Sequence, residues 1–240
     1  MRRMEIGGVD FDALVSLTPN EALLTVLDGS TSCGLQSTQL GRARTFVQDT
    51  LKRRKAMCSG VSSDPSPVVI CSYTSNLISC GLRETLAYLA RHRLVDAFVA
   101  TAGGVEEDVI KCLGKTLVGD FTLVGKELRA KGLNRIGNLL VPNDNYCAFE
   151  DFFVPVIRTL HAKQQACKWS AFTGPSEIIH ATGEAMESLA NREESVVYWC
   201  YKNAIPMFCP ALTDGSMGDM IYFYNFSKKG FMVDPVPDSR

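Results

Sequence analysis

From residue 67 onward the chain repeats one pattern: a short apolar run, a polar turn, then a stretch with apolar residues at helical spacing. "PVVICSY" leads through "TSNLIS" into "CGLRETLAYLARHR", and "LVDAFVA" leads through "TAGG" into "VEEDVIKCL". "RIGNLLVP" is a third apolar run, followed by "NDNYCAFEDFFVPVIRTLHAKQQA", whose spacing predicts a long helix in spite of Pro155. "GPSEIIHATGEAMESLA" and "ESVVYWCYKNA" predict further helices, while "IPMFCPA", "DMIYFYN" and "GFMVDPV" read as late strands. Apolar strands alternating with helices predict an α/β fold with a doubly wound, mainly parallel sheet covered on both faces. In such sheets ligands gather beyond the carboxyl ends of the strands.

The totals agree with one such domain, since 46% of the 240 residues are hydrophobic and 21% are charged. A net charge of −1 lacks the basic excess of a nucleic-acid surface. No apolar run reaches the roughly 18 residues of a membrane span, and no apolar core follows the basic "MRRM" start as in a signal peptide. The nine cysteines contain no C-x-x-C pair, and the three histidines lie far from any cysteine pair. That spacing predicts reduced thiols in a cytoplasmic protein and no metal site. Residues 1–65 are less regular and read as a helical extension to a 66–240 domain. Within them "NEALLTVLDG" predicts a short helix, and "STQLGRARTFVQDTLKRRKAM" a longer one whose Lys52–Lys55 run suits a solvated carboxyl end.

Three turns carry the polar side chains: "TSNLIS", "TAGGVEED" and "PALTDGSMGDM". The Gly103-Gly104 pair, read as a turn opening a helix, offers backbone N–H groups to a phosphate. Yet Glu106, Glu107 and Asp108 follow at once, where an anion would be repelled. Glu106 and Glu107, with Asp214 and Asp219 on the third turn, form an acidic cluster if the strands are neighbours, and burying such a cluster calls for a cation. A phosphate cradle beside an acidic pocket predicts a nucleotide cofactor together with a polyamine-like substrate.

At this point the chain resembles a family. "YTSNLISCGLRETLAYL", "TAGGVEEDVIKCL", "GKELRAKGLNRIGNLLVPNDNYCAFEDF" and "PALTDGSMGDMIYF" are similar, in order, to segments of eukaryotic deoxyhypusine synthase. The resemblance implies a Rossmann-like sheet and an enzyme that oxidises spermidine with NAD. The aminobutyl group then passes to one lysine of the hypusine-containing translation initiation factor. It implies NAD contacts at Ser75, Asn76, Leu77, Ile78, Ser79, Thr101, Ala102, Gly103, Glu107 and Asp214, and spermidine contacts at Glu106, Glu107 and Asp219. Carboxylates suit this chemistry, because they hold ammonium groups and stabilise the iminium that forms when a hydride leaves.

The family's segment with the nucleophilic lysine has no match here, and Lys228 and Lys229 lie in "FSKKG", with no apolar pocket to depress a lysine pKa. The chain is therefore expected to be inactive alone, its sheet incomplete and completed by a second chain within a tetramer. It is either the larger part of a split synthase or a catalytically dead regulatory paralogue; a non-enzymatic NAD-binding module is the reading from another class. A final apolar strand at "GFMVDPV" would leave an exposed sheet edge and a risk of aggregation.

Overall fold

A computed structural model describes residues 6–61, 66–167 and 172–239. They belong to two compact units, Met1–Pro67 and Val68–Arg240. The first is helical, with α1 (Phe11–Leu14), α2 (Pro19–Gly29) and α3 (Leu35–Cys58). Local chemistry starts two of these helices. Asp10 Oδ1 accepts the Asp12 and Ala13 N–H groups, and Thr18 and Glu21 close a reciprocal capping box.

The second unit runs β1 (Ile70–Tyr73), α4 (Ser75–Ser79), α5 (Arg83–Arg91), β2 (Ala97–Ala100), α6 (Ala102–Leu113), β3 (Leu117–Val118) and α7 (Gly125–Ala130). There follow β4 (Leu133–Ile136), β5 (Leu139–Pro142), α8 (Asn143–Ala166), α9 (Pro175–Ala185), α10 (Val196–Lys202), β6 (Met207–Phe208) and α11 (Ser216–Ser227). The predicted long helix is α8, continuous through Pro155. No helix of the described residues is long and apolar enough to cross a membrane.

A parallel sheet forms in the order β1-β2-β6, with Ile70 opposite Ala97 and Phe98 opposite Met207. Asp96 pins the entry to the first pair: its N–H donates to Val69 O, and its carboxylate accepts the Val69 N–H at 2.7 Å. Phe98, Val105, Ile110, Phe149, Phe153, Ile157 and Ile178 are fully buried and join this sheet to α6, α8 and α9.

Four expectations are corrected. "RIGNLLVP" does not extend the parallel sheet; it turns at Gly137, where φ is +61°, and returns as the β4–β5 hairpin of a separate antiparallel sheet, β3-β5-β4. Gly137-Asn138 is hairpin chemistry, and it decides the matter over the apolar run. "DMIYFYN" lies within helix α11, whose buried residues Met217, Ile221 and Tyr224 follow a spacing near 3.6 rather than 2. "GFMVDPV" forms no strand ladder, only one isolated bridge between Val233 and Thr173. The exposed final edge expected there is absent from the described residues. Fourth, Gly103 and Gly104 lie inside α6, which begins at Ala102, so the acidic residues occupy its second turn rather than its tip.

The tail after α11 is held by side chains instead of a ladder. Asn225 donates to Phe231 O and accepts the Phe231 N–H, both at 2.9 Å. Gln164 treats Met232 in the same way, at 2.5 and 3.1 Å. Asp238 accepts from the Ser176 N–H and hydroxyl at 2.8 and 2.6 Å, filling the role of a cap at the start of α9, where Gly174 has no side chain.

Most of α6 is buried, so its polar side chains need partners. Asp108, fully buried, accepts Arg83 Nε at 2.7 Å, Ser195 Oγ at 2.6 Å and the Val197 N–H at 2.8 Å. Arg83 also donates to Asp108 O and Cys112 Sγ. Removing one partner of such a pair leaves an uncompensated buried charge. Asp108→Ala is therefore expected to cost about 3–5 kcal/mol in equilibrium urea unfolding. Pairing Asp108→Leu with Arg83→Met should lie closer to wild type than Asp108→Ala, since no lone charge then remains.

Candidate functional site

β1 and β2 end side by side at Tyr73 and Ala100, and each is followed by a threonine that opens a helix. Neither Thr74 nor Thr101 caps its own helix. Thr101 Oγ1 instead accepts the Ser75 N–H at 3.0 Å, so the second turn caps the helix of the first. Beyond these strand ends lies a cavity of about 400 Å³. Ser75, Asn76 and Ser79 line it from α4, and Ala102, Gly103, Glu106 and Glu107 from α6. Thr74, Thr101, Ile136 and Asp214 complete the wall.

Most of the residues expected at a cofactor site thus meet in one place. Leu77, Ile78 and Asp219 do not line the cavity: Ile78 is fully buried in the core, and Leu77 points partly to solvent. Asp219 is exposed on α11 but near enough to bias the ionisation of Glu106. Gly103 has a packing reason as well as a cavity position. A Cβ there would stand 2.7 Å from Ser75 Cβ, so α4 and α6 approach each other only because that atom is missing. Gly103→Val would therefore disturb the wall itself, and any loss of a ligand would not isolate contact with a phosphate.

The acidic residues divide their work. Glu106 Oε2 accepts the Met217 N–H at 3.0 Å and acts as the cap of α11, whose own cap position is Gly215. A Cβ on Gly215 would lie 2.6 Å from that oxygen. Burial raises the Glu106 carboxyl above its ordinary range, the Met217 and Ser216 N–H groups pull it back, and the charge of Asp219 raises it again. Part of the acidic cluster is thus helix capping.

Glu107 is different. Its Oε1 accepts the Tyr146 hydroxyl at 3.2 Å, but its Oε2 is buried without any hydrogen-bond partner. The residue is 4% exposed and lines the cavity. Burial raises its carboxyl above the ordinary range; the Tyr146 hydroxyl opposes this, Glu106 reinforces it, and Lys111 opposes it. A carboxylate in a cavity wall with acceptor capacity unused suits a donor brought by a ligand, and an ammonium group suits it best. Tyr146 was not foreseen. Its contact spans 39 residues from the start of α8, and no local motif announces it.

Comparison with known proteins follows the same line. The family model for deoxyhypusine synthase matches residues 25–240. A Leishmania donovani protein named inactive deoxyhypusine synthase is 55% identical over 98% of this chain and 60% of its own length. A Trypanosoma brucei brucei protein named deoxyhypusine synthase regulatory subunit is 55% identical over 98% of this chain and 67% of its own length. The chain thus spans about three fifths to two thirds of these relatives. A crystal structure of a provisionally named deoxyhypusine synthase from Entamoeba histolytica superposes with a TM-score of 0.67 at 28% identity, covering 98% of this chain and 72% of that one.

Native Glu107 binds its proton more tightly than the unfolded chain does. Its ionisation therefore subtracts stability as pH rises from the ordinary carboxylate value through the raised native one. Above that window Glu107→Gln is expected to unfold at a higher temperature than wild type. Thermal scans at about pH 3 and about pH 8, on either side of the carboxylate range, should show the gap opening at the higher pH.

Proposed function

We propose, from the premise that the chain belongs to the deoxyhypusine synthase family, that it is the non-catalytic, ligand-holding subunit of a deoxyhypusine synthase assembly. The observation that carries this is the cavity: it keeps a buried carboxylate oxygen ready for a donor, yet no lysine of the described residues lines it. Lys228 and Lys229 are exposed beyond the end of α11. The names of the two 55%-identical relatives, inactive and regulatory, favour the same reading.

In this reading the assembly transfers the aminobutyl group of spermidine to a lysine of the hypusine-containing translation initiation factor, in the cytoplasm. A second chain supplies the lysine that forms the imine, completes the sheet, and joins this one in a tetramer. The residues present fit NAD on chemical grounds. Hydroxyl and amide groups of Ser75, Asn76, Ser79 and Thr101 offer hydrogen bonds on one wall, and the amino end of α6 favours a phosphate. When bound, NAD takes up the hydride released from the carbon beside a spermidine nitrogen. Glu107 holds that nitrogen through its unpartnered oxygen, and its negative charge stabilises the cation formed as the hydride departs. Tyr146 keeps the same carboxylate oriented by donating to the other oxygen. Asp214 lines the cavity, where it suits a ribose hydroxyl, and Asp219, exposed on α11 outside that lining, suits a further amine of the polyamine.

Three measurements test this. The purified chain should release no aminobutyl group from spermidine, and adding a catalytic chain of the family should raise that chain's turnover by ~10-fold or more, within the range of allosteric coupling. In the mixed assembly Glu107→Gln should weaken spermidine binding by at least ~30-fold, the lower end of what losing a buried charge partner costs. Turnover by the chain alone, or full spermidine affinity in Glu107→Gln, would overturn the proposal.

A further inference from the structure

Helix α4 forms a whole wall of the cavity, but it is five residues long. A helix that short does not hold itself together, because the first turn costs more order than one hydrogen bond returns. Its place is therefore set from outside. At the amino end, Thr101 accepts the Ser75 N–H. At the carboxyl end stands Lys111, whose Nζ donates to Ile78 O at 2.9 Å, Ser79 O at 3.0 Å and Cys80 O at 3.4 Å.

These are the last carbonyls of the helix, the groups that a helix leaves without internal partners. A lysine ammonium has three N–H donors, and here all three can be used on one helix end. A cation also suits the negative end of the peptide dipoles. Lys111 lies on α6, four residues beyond Glu107 and eight beyond Gly103. The same helix that carries the cavity's carboxylates thus grips the hydroxyl-bearing wall from below. Ser75 against Gly103 at one end and Lys111 at the other leave α4 little freedom to slide along α6.

We propose that Lys111 is a positioning residue: its ammonium locks the Ser75–Ser79 helix in register with α6, and the cavity takes up its dinucleotide only while that lock holds. The second clause rests on the reading of this cavity as an NAD site; the first does not. Lys111 touches no ligand in this account. It acts through the carbonyls of residues 78–80 and hence through the side chains of Ser75, Asn76 and Ser79.

The experiment uses the full chain as wild type, Lys111→Met and Lys111→Arg, with amide hydrogen exchange and NAD titration on each. In Lys111→Met the amides of residues 75–80 should exchange at least ~10-fold faster while those of α8 keep their wild-type rate, the mark of a local opening. NAD should bind at least ~10-fold more weakly, as expected when a positioning contact shifts a binding wall. Lys111→Arg keeps charge and donors and should restore both. Wild-type exchange at residues 75–80 in Lys111→Met overturns the lock, and unchanged NAD affinity in that variant overturns its link to cofactor uptake. If wild type itself takes up no NAD, the cofactor reading fails while the exchange data alone decide on the lock. Should Lys111→Met not fold, Lys111→Gln, with fewer donors and no charge, must show the same local change in smaller degree, and its absence there also sinks the proposal.

Discussion

The second unit depends on one buried carboxylate. Asp108 sits with no exposure among Arg83 of α5, Ser195 at the start of α10 and the Val197 N–H within it. Three groups from two chain segments far apart in sequence converge on its two oxygen atoms. Such a group is costly to bury and tolerable only when its partners are all present. Its value is geometric: α6 cannot rotate about its axis without breaking the Asp108 contacts, and α6 carries two of the cavity's acids, Glu106 and Glu107.

That rotation matters because Glu106, Glu107 and Asp108 are consecutive. Successive helical residues point about 100° apart, since a helix has 3.6 residues per turn. One acid therefore reaches α11 while also lining the cavity, one reaches α5 and α10, and the middle one lines the cavity with an oxygen uncommitted. The two outer acids orient the helix, and the middle one keeps an oxygen free of any hydrogen bond. The raised ionisation range of Glu107 comes first from its burial; the Tyr146 hydroxyl opposes the shift, the charge of Glu106 reinforces it and Lys111 opposes it.

Much of this could be read from the chain. The β1–α4–α5–β2–α6 succession follows from apolar runs and polar turns, and the turns converge because parallel strands share one carboxyl end. The grouping of Ser75, Asn76, Thr101, Glu106, Glu107 and Asp214 was legible for that reason. What failed was local. "DMIYFYN" carries β-favouring aromatics, and only packing of Met217, Ile221 and Tyr224, with a cap lent by Glu106, makes it helical. The part of the acidic run that caps distant helices was hidden too, because a carboxylate's partner 111 residues away leaves no trace near it in sequence. Tyr146 was missed for the same reason.

The tail beyond α11 has a further consequence. A strand ladder is written in backbone atoms and survives most changes of side chain. This tail is written in side chains: Asn225 and Gln164 must each give a hydrogen and take one at the same time. Only a primary amide does both with fixed geometry. An acid at either place would lose the donor, a lysine the acceptor, and an alanine both. A change of either amide should therefore loosen the closing segment around residues 231–232 and leave Asp238 on Ser176 to hold its end.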